Sequence, residues 1–398
     1  MRGVMKSALV VVAAAVTLGP SVGAVAQTDP AKAAGSFTAP GWLDDVAAVS
    51  ATSAWAVGGS DACHPRTLMA RWNGSAWHTV RLPAGSRRGQ LFGVAVTSPG
   101  NAWAVGSSGG LIGHHQSLIL HWNGTAWTRE VSPGAAGGVS LIAIAATSAR
   151  HAWAVGYTGR YKIFIMRWDG HTWRRARTPV PRGEAFLSGV AATSPRNVWV
   201  VGTVLTRKNT GLILHWNGTA WTRMPIPHLP VGSFLSTVEA TSADNAWAVG
   251  FTGGIANKTL ILRWNGARWR RVAVPAVTGG LASVTAVSAR DAWAVGETVN
   301  YFTVGCAGPA ARVAAPGDGA RLPAAIGGGY AATKLRPLIF HWNGTSWRPV
   351  ASPALRAGAA LFGVTATSAG NAWAVGGLNF LQPNARTVVL RWNGSIWR

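Results

Sequence analysis

The sequence predicts an all-β fold, a seven-bladed β-propeller of four-stranded antiparallel blades, and three observations support this prediction. The pentapeptide AWAVG occurs six times, and its near copy VWVVG occurs once. A hexapeptide of the form WNGxxW, written WDGHTW in one copy, follows each of them. The pentapeptide tryptophans recur every 46–50 residues, except for a final interval of 80. Repeats of this length are typical of propellers and solenoids, in which each unit buries its core against its neighbours.

Each unit divides into four short strands, as the second unit shows. The first strand is the apolar alternation at 91–96, and the second is AWAVG, which ends in glycine. The third strand is 118–122, and the Asn123-Gly124 pair behind it is a strong hairpin signal, because both residues tolerate positive φ. A fourth strand begins at Trp127. Short strands at regular spacing, separated by turn signals, indicate an all-β domain.

The tryptophans are predicted to fill the space between the blades. Blades spread apart with distance from the ring axis, and tryptophan supplies the bulk that fills the widening gap. Three tryptophans per unit account for all but Trp42 of the 22 in the chain. These are Trp55, Trp72, Trp77, Trp103, Trp122, Trp127, Trp153, Trp168, Trp173, Trp199, Trp216, Trp221, Trp247, Trp264, Trp269, Trp293, Trp342, Trp347, Trp373, Trp392 and Trp397. An open β-solenoid is the alternative to a closed ring.

The repeat resembles the kelch repeat of galactose-oxidase-like and neuraminidase-like propellers. Both have an apolar strand that ends in glycine, an apolar strand that ends in an aromatic residue, a short gap, a tryptophan and a terminal proline. The resemblance covers nearly all of 36–398, but the family's double glycine survives only at Gly58 and Gly376, and Trp122 and its equivalents replace tyrosine. A weaker resemblance connects the chain to tectonin-type propeller lectins, whose repeats are shorter. The kelch resemblance invites copper oxidase chemistry, but no residues carry the copper motif over, so we expect no cofactor.

The first 26 residues have the pattern of a secretory signal peptide. Arg2 and Lys6 precede the apolar stretch 8–18, which is too short to span a bilayer, and small residues at 24–26 offer a cleavage site. We therefore expect a secreted, soluble chain. No later stretch is long and apolar enough to suggest a membrane span, and we expect a monomer. An uncleaved N-terminal anchor is the alternative.

A short linker at 27–35 is predicted to lead into a propeller at 36–398. Aligned on the proline, 37–40 matches 130–133 of the second unit. The last unit ends where its fourth strand has barely begun. We therefore predict that the N-terminal segment completes the outer strand of the seventh blade, which removes an open sheet edge.

The two cysteines are predicted to form a disulfide. Cys63 and Cys306 both lie between the second and third strands, in units one and six, so they emerge on the same face of the ring. The sixth unit carries a long insertion at 297–337 that can reach across to the first. Two cysteines in an exported chain permit one connectivity. Two free thiols are the alternative.

The formal net charge of +24 has two explanations. The arginine excess is typical of GC-rich bacterial genomes, or it serves an anionic partner, with non-specific nucleic-acid binding among the possible consequences. Arginine runs at 173–177 and 268–271 fall on the predicted outer strand. Charge there either discourages edge-to-edge aggregation or binds an anionic polymer. The residue before each WNG is also basic. Strand alternation predicts that it points away from the buried leucine and tryptophan face, near a blade end, where it can bond neighbouring carbonyls. A ring of cationic groups is the alternative.

The loops between second and third strands are the best candidate binding surface, because loops on a rigid scaffold usually carry function. Aromatic faces stack on sugars and bases alike, and they also pack longer loops. The candidate ligand-binding residues in these segments are His114, His115, Tyr157, Tyr161, Tyr301 and Tyr330. No four ligands have metal spacing, so we expect no metal site.

The twelve carboxylates mark no catalytic pair in the sequence, so no catalytic residue is predicted. The preferred interpretation is a secreted, non-catalytic protein that binds a glycan or an anionic cell-wall polymer through loops on one face of the propeller. A protein-interaction scaffold is the first alternative. An unrecognised hydrolase or oxidase of the kelch and galactose-oxidase-like superfamily is the second.

Overall fold

The computed structural model describes residues 37–398, with gaps at 62–63, 109–115, 135–137, 160, 180, 182, 254–256, 299–334, 356–357 and 381. The predicted signal peptide, the linker and most of the long insertion lie outside these residues. So do both cysteines of the predicted disulfide, Cys63 and Cys306. The described part of the chain forms strands and no helices, so it contains no helix that could cross a membrane.

The strands group into seven antiparallel sheets whose order follows the sequence. Blades 1 to 4 are β1 (Trp42–Ser50), β2 (Ser53–Ser60), β3 (Arg66–Trp72), β4 (Trp77–Thr79); β5 (Gln90–Ser98), β6 (Asn101–Ser108), β7 (Gln116–Trp122), β8 (Trp127–Arg129); β9 (Val139–Ser148), β10 (His151–Thr158), β11 (Ile163–Trp168), β12 (Trp173–Arg175); and β13 (Glu184–Ser194), β14 (Asn197–Leu205), β15 (Thr210–Trp216), β16 (Trp221–Arg223). Blades 5 to 7 are β17 (Phe234–Ser242), β18 (Asn245–Thr252), β19 (Lys258–Trp264), β20 (Trp269–Arg271); β21 (Gly280–Ser288), β22 (Asp291–Glu297), β23 (Pro337–Trp342), β24 (Trp347–Pro349); and β25 (Ala359–Ser368), β26 (Asn371–Leu378), β27 (Arg386–Trp392).

The first strands of consecutive blades contact one another all the way round, and β1 contacts β25. The ring is therefore closed, which confirms the propeller and excludes the open solenoid. Each first strand carries a β-bulge just after its buried leucine, for example between Leu91 and Gly93. The bulge brings neighbouring backbones together: a Cβ on Gly189 would lie 2.7 Å from Thr237 Cα, and one on Gly363 would lie 2.8 Å from the Cα of the facing blade. Glycine permits this approach because it has no side chain to displace.

Tryptophans fill the seams between blades, as the sequence predicts. The AWAVG tryptophan of one blade enters between the two WNGxxW tryptophans of the next. Trp199 lies 5.0 Å from Trp264 and 5.2 Å from Trp269, the latter edge to face at 89°. The same triad recurs at every seam, including the last one, where Trp373 of blade 7 meets Trp72 of blade 1 at 4.8 Å. Offset and edge-to-face rings of this kind stabilise the seam beyond the area they bury.

The N-terminal segment pairs with blade 7 as predicted, but at the start of β27 and not as the fourth strand of the blade. Pro40 bridges Arg386 at the start of β27, and Thr387 N donates to Ala39 O at 3.0 Å. The alignment on the proline was wrong in detail. In blade 1, Arg88 bridges the start of β3 just before the chain enters blade 2. Pro40 takes the same position in blade 7, just before the chain enters blade 1.

The last residues of the chain pair with the other end of β27, on its outer side. Trp397 bridges Trp392, and Arg398 exchanges two backbone hydrogen bonds with Arg391 at 2.9 and 3.0 Å. The three-stranded sheet β25–β27 is therefore completed by residues from both ends of the described chain.

Candidate functional site on the loop face

The ring has two ends with different construction. We call one the turn face, where short turns join the first strand to the second and the third to the fourth. Each WNG tryptophan there donates its indole N–H to a carbonyl of the neighbouring turn, as Trp122 Nε1 does to Pro99 O at 3.0 Å. The equivalent donors are Trp72, Trp168, Trp216, Trp264, Trp342 and Trp392. The turn face therefore repeats one arrangement seven times.

The WNGxxW hairpin forms where the sequence predicts it, but by a different turn. Four residues separate the paired Trp122 and Trp127. Gly124 has φ 99°, whereas Asn123 does not enter the left-handed region. The Asn123 side chain instead accepts hydrogen bonds from the backbone N–H groups of Thr125 and Ala126 at 3.0 Å. The asparagine thus acts as a side-chain cap within the turn.

The basic residue before each WNG lies on the face opposite the leucine and tryptophan of its own strand, as alternation predicts, but that face carries the AWAVG tryptophan of the adjacent strand. His121 stacks on Trp103 with ring centroids 3.9 Å apart, and its Nε2 lies 2.8 Å from Asn101 Oδ1. Arg263 places its guanidinium 4.8 Å from the ring of Trp247. Burial lowers the pKa of His121. These groups cover the ends of the tryptophan triads and do not form a ring of free cations.

We call the opposite end the loop face, where the second strand connects to the third. At its seams a large side chain on one blade faces a glycine on the next. A Cβ on Gly377 would lie 2.8 Å from the Cβ of Trp42, and a Cβ on Gly280 would lie 3.3 Å from the ring of Phe251. Trp42, the tryptophan outside the repeat, is 2% exposed and fills the seam between blades 7 and 1. A large residue on one blade is therefore accommodated by glycine on the next.

Two of the predicted ligand-binding residues, Tyr157 and Tyr161, lie together on this face. Their rings stack with centroids 5.6 Å apart, but Tyr157 is buried, and burial raises the pKa of its hydroxyl. Tyr161 is half-buried and has φ 50°, and its backbone oxygen accepts from Ala185 N of the next blade at 2.7 Å. Tyr161 is thus the accessible ring of the pair. The other four candidates, His114, His115, Tyr301 and Tyr330, lie outside the described residues.

Phenylalanines that the sequence analysis did not single out extend this surface. Phe186 packs against Tyr157 of the preceding blade at 6.3 Å, and Phe362 packs against Phe380 at 4.7 Å. We call the half-buried rings of blades 3, 4, 5 and 7 the aromatic rim. Its members are Tyr161, Phe186, Phe251, Phe362 and Phe380. Only Phe251 stands at the variable position directly after an AWAVG glycine, and Phe362 stands in the segment LFGV that also occurs at 91–94, so no single sequence signal marks the five.

Two carboxylates of β1 join blade 1 to blade 2. Asp44 Oδ2 accepts from Gln90 Nε2 at 2.7 Å, and Asp45 Oδ2 accepts from Val94 N at 2.9 Å. The other oxygen of Asp45 accepts from Val46 N at 2.8 Å. Burial raises the pKa of Asp44 to about 8, against the opposing effect of the Gln90 hydrogen bond, and raises that of Asp45 to about 7.

A third carboxylate approaches from across the ring. Glu239 lies on β17 of blade 5, and its pKa rises to about 8, first through burial and then through the negative charge of Asp45. All three acids keep partial solvent access, although they lie on innermost strands flanked by two other blades. Solvent therefore reaches them along the axis. The sequence analysis marked no carboxylate pair, because Glu239 is distant in sequence from Asp44 and Asp45 and approaches them only in the closed ring.

Two of these acids, Asp44 and Asp45, are held by hydrogen bonds and have little freedom for catalysis. Both oxygens of Asp45 already accept backbone N–H groups, and Asp44 is held by an amide. No group of three or more histidine, cysteine, aspartate or glutamate side chains among the described residues could hold a metal ion. A fourth buried acid, Glu297, lies where the long insertion begins, and burial raises its pKa to about 8. The axial carboxylates therefore act as seam contacts whose charge depends on pH near neutrality.

Comparison with known proteins shows the fold. No family model matches the sequence, and no curated protein matches it. The chain is similar to a solved structure of YCF48 bound to a D1 peptide, at 12% identity over 89% of this chain and 94% of that one, with a TM-score of 0.50. It is also similar to YCF48 from Cyanidioschyzon merolae, at 14% identity over 87% and 95%, with a TM-score of 0.50.

A third similar structure is a GH74 xyloglucanase from Xanthomonas campestris, at 12% identity with a TM-score of 0.54. The match covers 88% of this chain but 53% of the xyloglucanase, so the chain spans about half of that enzyme's length. At such identities the likeness concerns the propeller architecture alone.

Proposed function

We propose that this chain is an exported, non-catalytic binding protein that recognises a glycan at the aromatic rim. The observation that carries the proposal is the rim itself. Five half-buried aromatic rings from four blades lie on the face that bears the variable loops. Their packing against neighbouring blades holds them in place, so little conformational entropy is lost when a ligand binds. Flat apolar faces of this kind suit the apolar faces of sugar rings.

The kelch resemblance of the repeat is consistent with this proposal, since the resemblance covers the scaffold and carries over no copper-binding residue. The carboxylates at the axis favour the hydrolase alternative by their raised pKa values. Their hydrogen bonds weigh against it. Asp45 has no oxygen without a donor, and a nucleophile or general base needs one directed at the substrate.

A peptide or protein partner is the second candidate. Four of the five rim residues are phenylalanines, which offer no polar group to orient a sugar but bind apolar side chains well. The neighbouring YCF48 structure contains a bound peptide, although its likeness to this chain is one of fold.

The deciding experiment is retention of the mature chain, residues 27–398, on cell-wall sacculi, neutral polysaccharide, anionic polysaccharide and DNA at low and high salt. We expect retention on one neutral or wall glycan that survives high salt. Phe251→Ala and Phe362→Ala should each weaken it at least tenfold, about 1.4 kcal/mol. Ile396→Ala, which removes a 52% exposed apolar side chain on the turn face, is the control and should leave retention unchanged.

Binding to every anionic polymer that disappears with salt, with no effect of the rim variants, would overturn the glycan proposal and make a protein partner the leading candidate. Export is checked separately. If 1–26 is a cleaved signal peptide, the mass of the protein recovered from culture medium corresponds to a chain beginning at Gln27.

A further inference from the structure

A shallow groove runs between the outer strand of one blade and the WNGxxW hairpin of the next. The structure forms this groove clearly at two seams. Between blades 5 and 6 it has a volume of about 400 Å³, and between blades 1 and 2 about 500 Å³. Both lie on the outer side of the ring, whereas the aromatic rim lies on the loop face.

The groove between blades 5 and 6 concentrates positive charge. Arg270 and Arg271 are exposed on β20, and neither has an acidic partner among the described residues. Arg263 lies deeper and is held in place by hydrogen bonds of 3.2 Å to Asn245 Oδ1 and to Ala289 O of the next blade. Arg263 and Arg270 pair across β19 and β20 on the face of blade 5 that meets Trp342 of blade 6, and the first of them is already fixed. Arg271 is also among the residues that line the groove.

In blade 3 the corresponding arginine pair is neutralised by contacts within the blade. The pair stands at the same strand positions, Arg174 and Arg175. There an aspartate, Asp169, replaces the hairpin asparagine, and Arg174 Nε lies 3.0 Å from its Oδ2. Arg175 lies 5.2 Å above the ring of Phe164. In blade 5 the corresponding hairpin residue is Asn265, which carries no charge, so the arginine pair stays without an anionic partner.

The opposite wall supplies neutral recognition groups. Trp342 borders the groove but is only 5% exposed, and Thr345 and Ser346 of the same hairpin are the other lining residues of blade 6. An arginine fork matches a carboxylate or sulfate group with two parallel hydrogen bonds, and the threonine and serine hydroxyls match the hydroxyls of a sugar. We infer that the groove between blades 5 and 6 binds the acidic groups of an anionic polysaccharide, as a site separate from the aromatic rim.

The test compares two double variants of the full mature chain that each remove two arginines from the outer strand. The first is Arg270→Ala with Arg271→Ala, and the matched control is Arg174→Ala with Arg175→Ala. The probes are a polyuronate oligosaccharide, a sulfated oligosaccharide and a neutral oligosaccharide of equal length, titrated calorimetrically at low and high salt. The first two probes distinguish carboxylate from sulfate as the recognised group.

We expect the blade 5 variant to lose at least tenfold in affinity for one acidic probe, while the blade 3 variant loses less than about threefold, since its arginines are already engaged. Arg270→Lys with Arg271→Lys keeps the charge but removes the fork, and should restore only part of the affinity. Aromatic-rim variants should leave this binding unchanged, which separates the inference from the proposed function. Equal losses in the two double variants, full rescue by lysine, or no binding of either acidic probe would overturn it.

Discussion

The two faces of the ring differ in how much they repeat. On the turn face the same indole-to-carbonyl hydrogen bond closes every blade, and asparagine or aspartate caps every hairpin. On the loop face different residues fill the seams that the structure describes, such as Trp42 against Gly377 and Phe251 against Gly280. The left-handed non-glycine residues of the described chain all lie there, between second and third strands: Asp61, Tyr161, Asn209 and Asn379. One face has conserved its arrangement across seven copies, and the other has diversified it.

The two faces meet different requirements: one closes the ring, and the other carries the variable loops. A closed ring needs every seam to fit, so the tryptophan triads and hairpins tolerate little change. The loop face is built on that frame and can carry unequal residues, strained backbone and half-buried rings. Strained conformations persist where the surrounding structure holds them, and they concentrate at functional sites. The face that varies is therefore the face on which to look for a ligand.

The largest expected effect is on the turn-face triads. Trp199→Ala removes a fully buried ring that packs between Trp264 and Trp269, and should lower the free energy of unfolding by about 3–5 kcal/mol. Trp103→Ala should cost the same within about 1 kcal/mol, because its triad has the same geometry. Chemical denaturation measures both.

On the loop face, Phe251→Ala should cost about 1–2 kcal/mol, since its ring is only half buried. A loop-face cost equal to the triad cost would contradict the division between the two faces. Where Trp199→Ala fails to fold, Trp199→Phe keeps part of the packing and allows the same comparison.

The second effect concerns blade 7, the sheet that residues from both ends of the described chain complete. Removing residues 397–398 leaves Trp293 without its edge-to-face partner at 5.2 Å and Arg391 without two backbone hydrogen bonds. We expect a loss of about 3 kcal/mol in the free energy of unfolding. Replacing only Arg398 by alanine keeps the backbone pairing and should change stability by less than about 0.5 kcal/mol. Similar losses of unfolding free energy in the deletion and in Arg398→Ala would mean that residues 397–398 do not stabilise blade 7.

The sequence could predict the part of the molecule that repeats. AWAVG and WNGxxW recur with the packing they specify, so seven blades, the triads and the pairing of the N-terminal segment with blade 7 follow from them. The contact of the basic residue before WNG was harder to predict, because alternation places Arg263 on the other face from Trp264 but does not show that Trp247 is its cross-strand neighbour there. The Asp45–Glu239 approach could not be predicted at all, since it depends on two blades meeting across a closed axis.

The third effect is a pH dependence. Asp44, Asp45, Glu239 and Glu297 have folded pKa values raised to about 7–8, whereas in the unfolded chain they ionise near their ordinary values. The folded state therefore resists ionisation, so the free energy of unfolding is highest at acid pH and falls as pH rises from about 4 to about 8.

Glu239→Gln should reduce this fall by about 1–2 kcal/mol, after allowance for solvent screening along the axis. Asp244→Asn, an exposed carboxylate of the turn face, is the control and should leave the slope unchanged. Denaturation midpoints across that pH range measure it. A stability that rises with pH in the parent chain would contradict the burial of these acids.

The smallest effect tests the regularity of the hairpins. Asn217→Ala removes the acceptor of two backbone N–H groups and should cost about 1 kcal/mol. Asn123→Ala should cost the same amount, because its turn has the same hydrogen bonds. Thermal unfolding of the two variants side by side resolves the difference. Unequal losses of stability would show that the hairpins of the turn face differ energetically although their hydrogen bonds are the same.

The closure of blade 7 has a consequence for how the molecule comes into being. Ala39 and Thr387, which hydrogen-bond at the last seam, lie 348 residues apart in the chain. During synthesis the blades can assemble in succession, but blade 7 cannot pair with Ala39 until Thr387 has been made. Until then the first and the last blade each expose the side that packs against the other in the finished ring, and contacts of such long range form slowly. The order of synthesis therefore makes the seam between blades 7 and 1 the last to form.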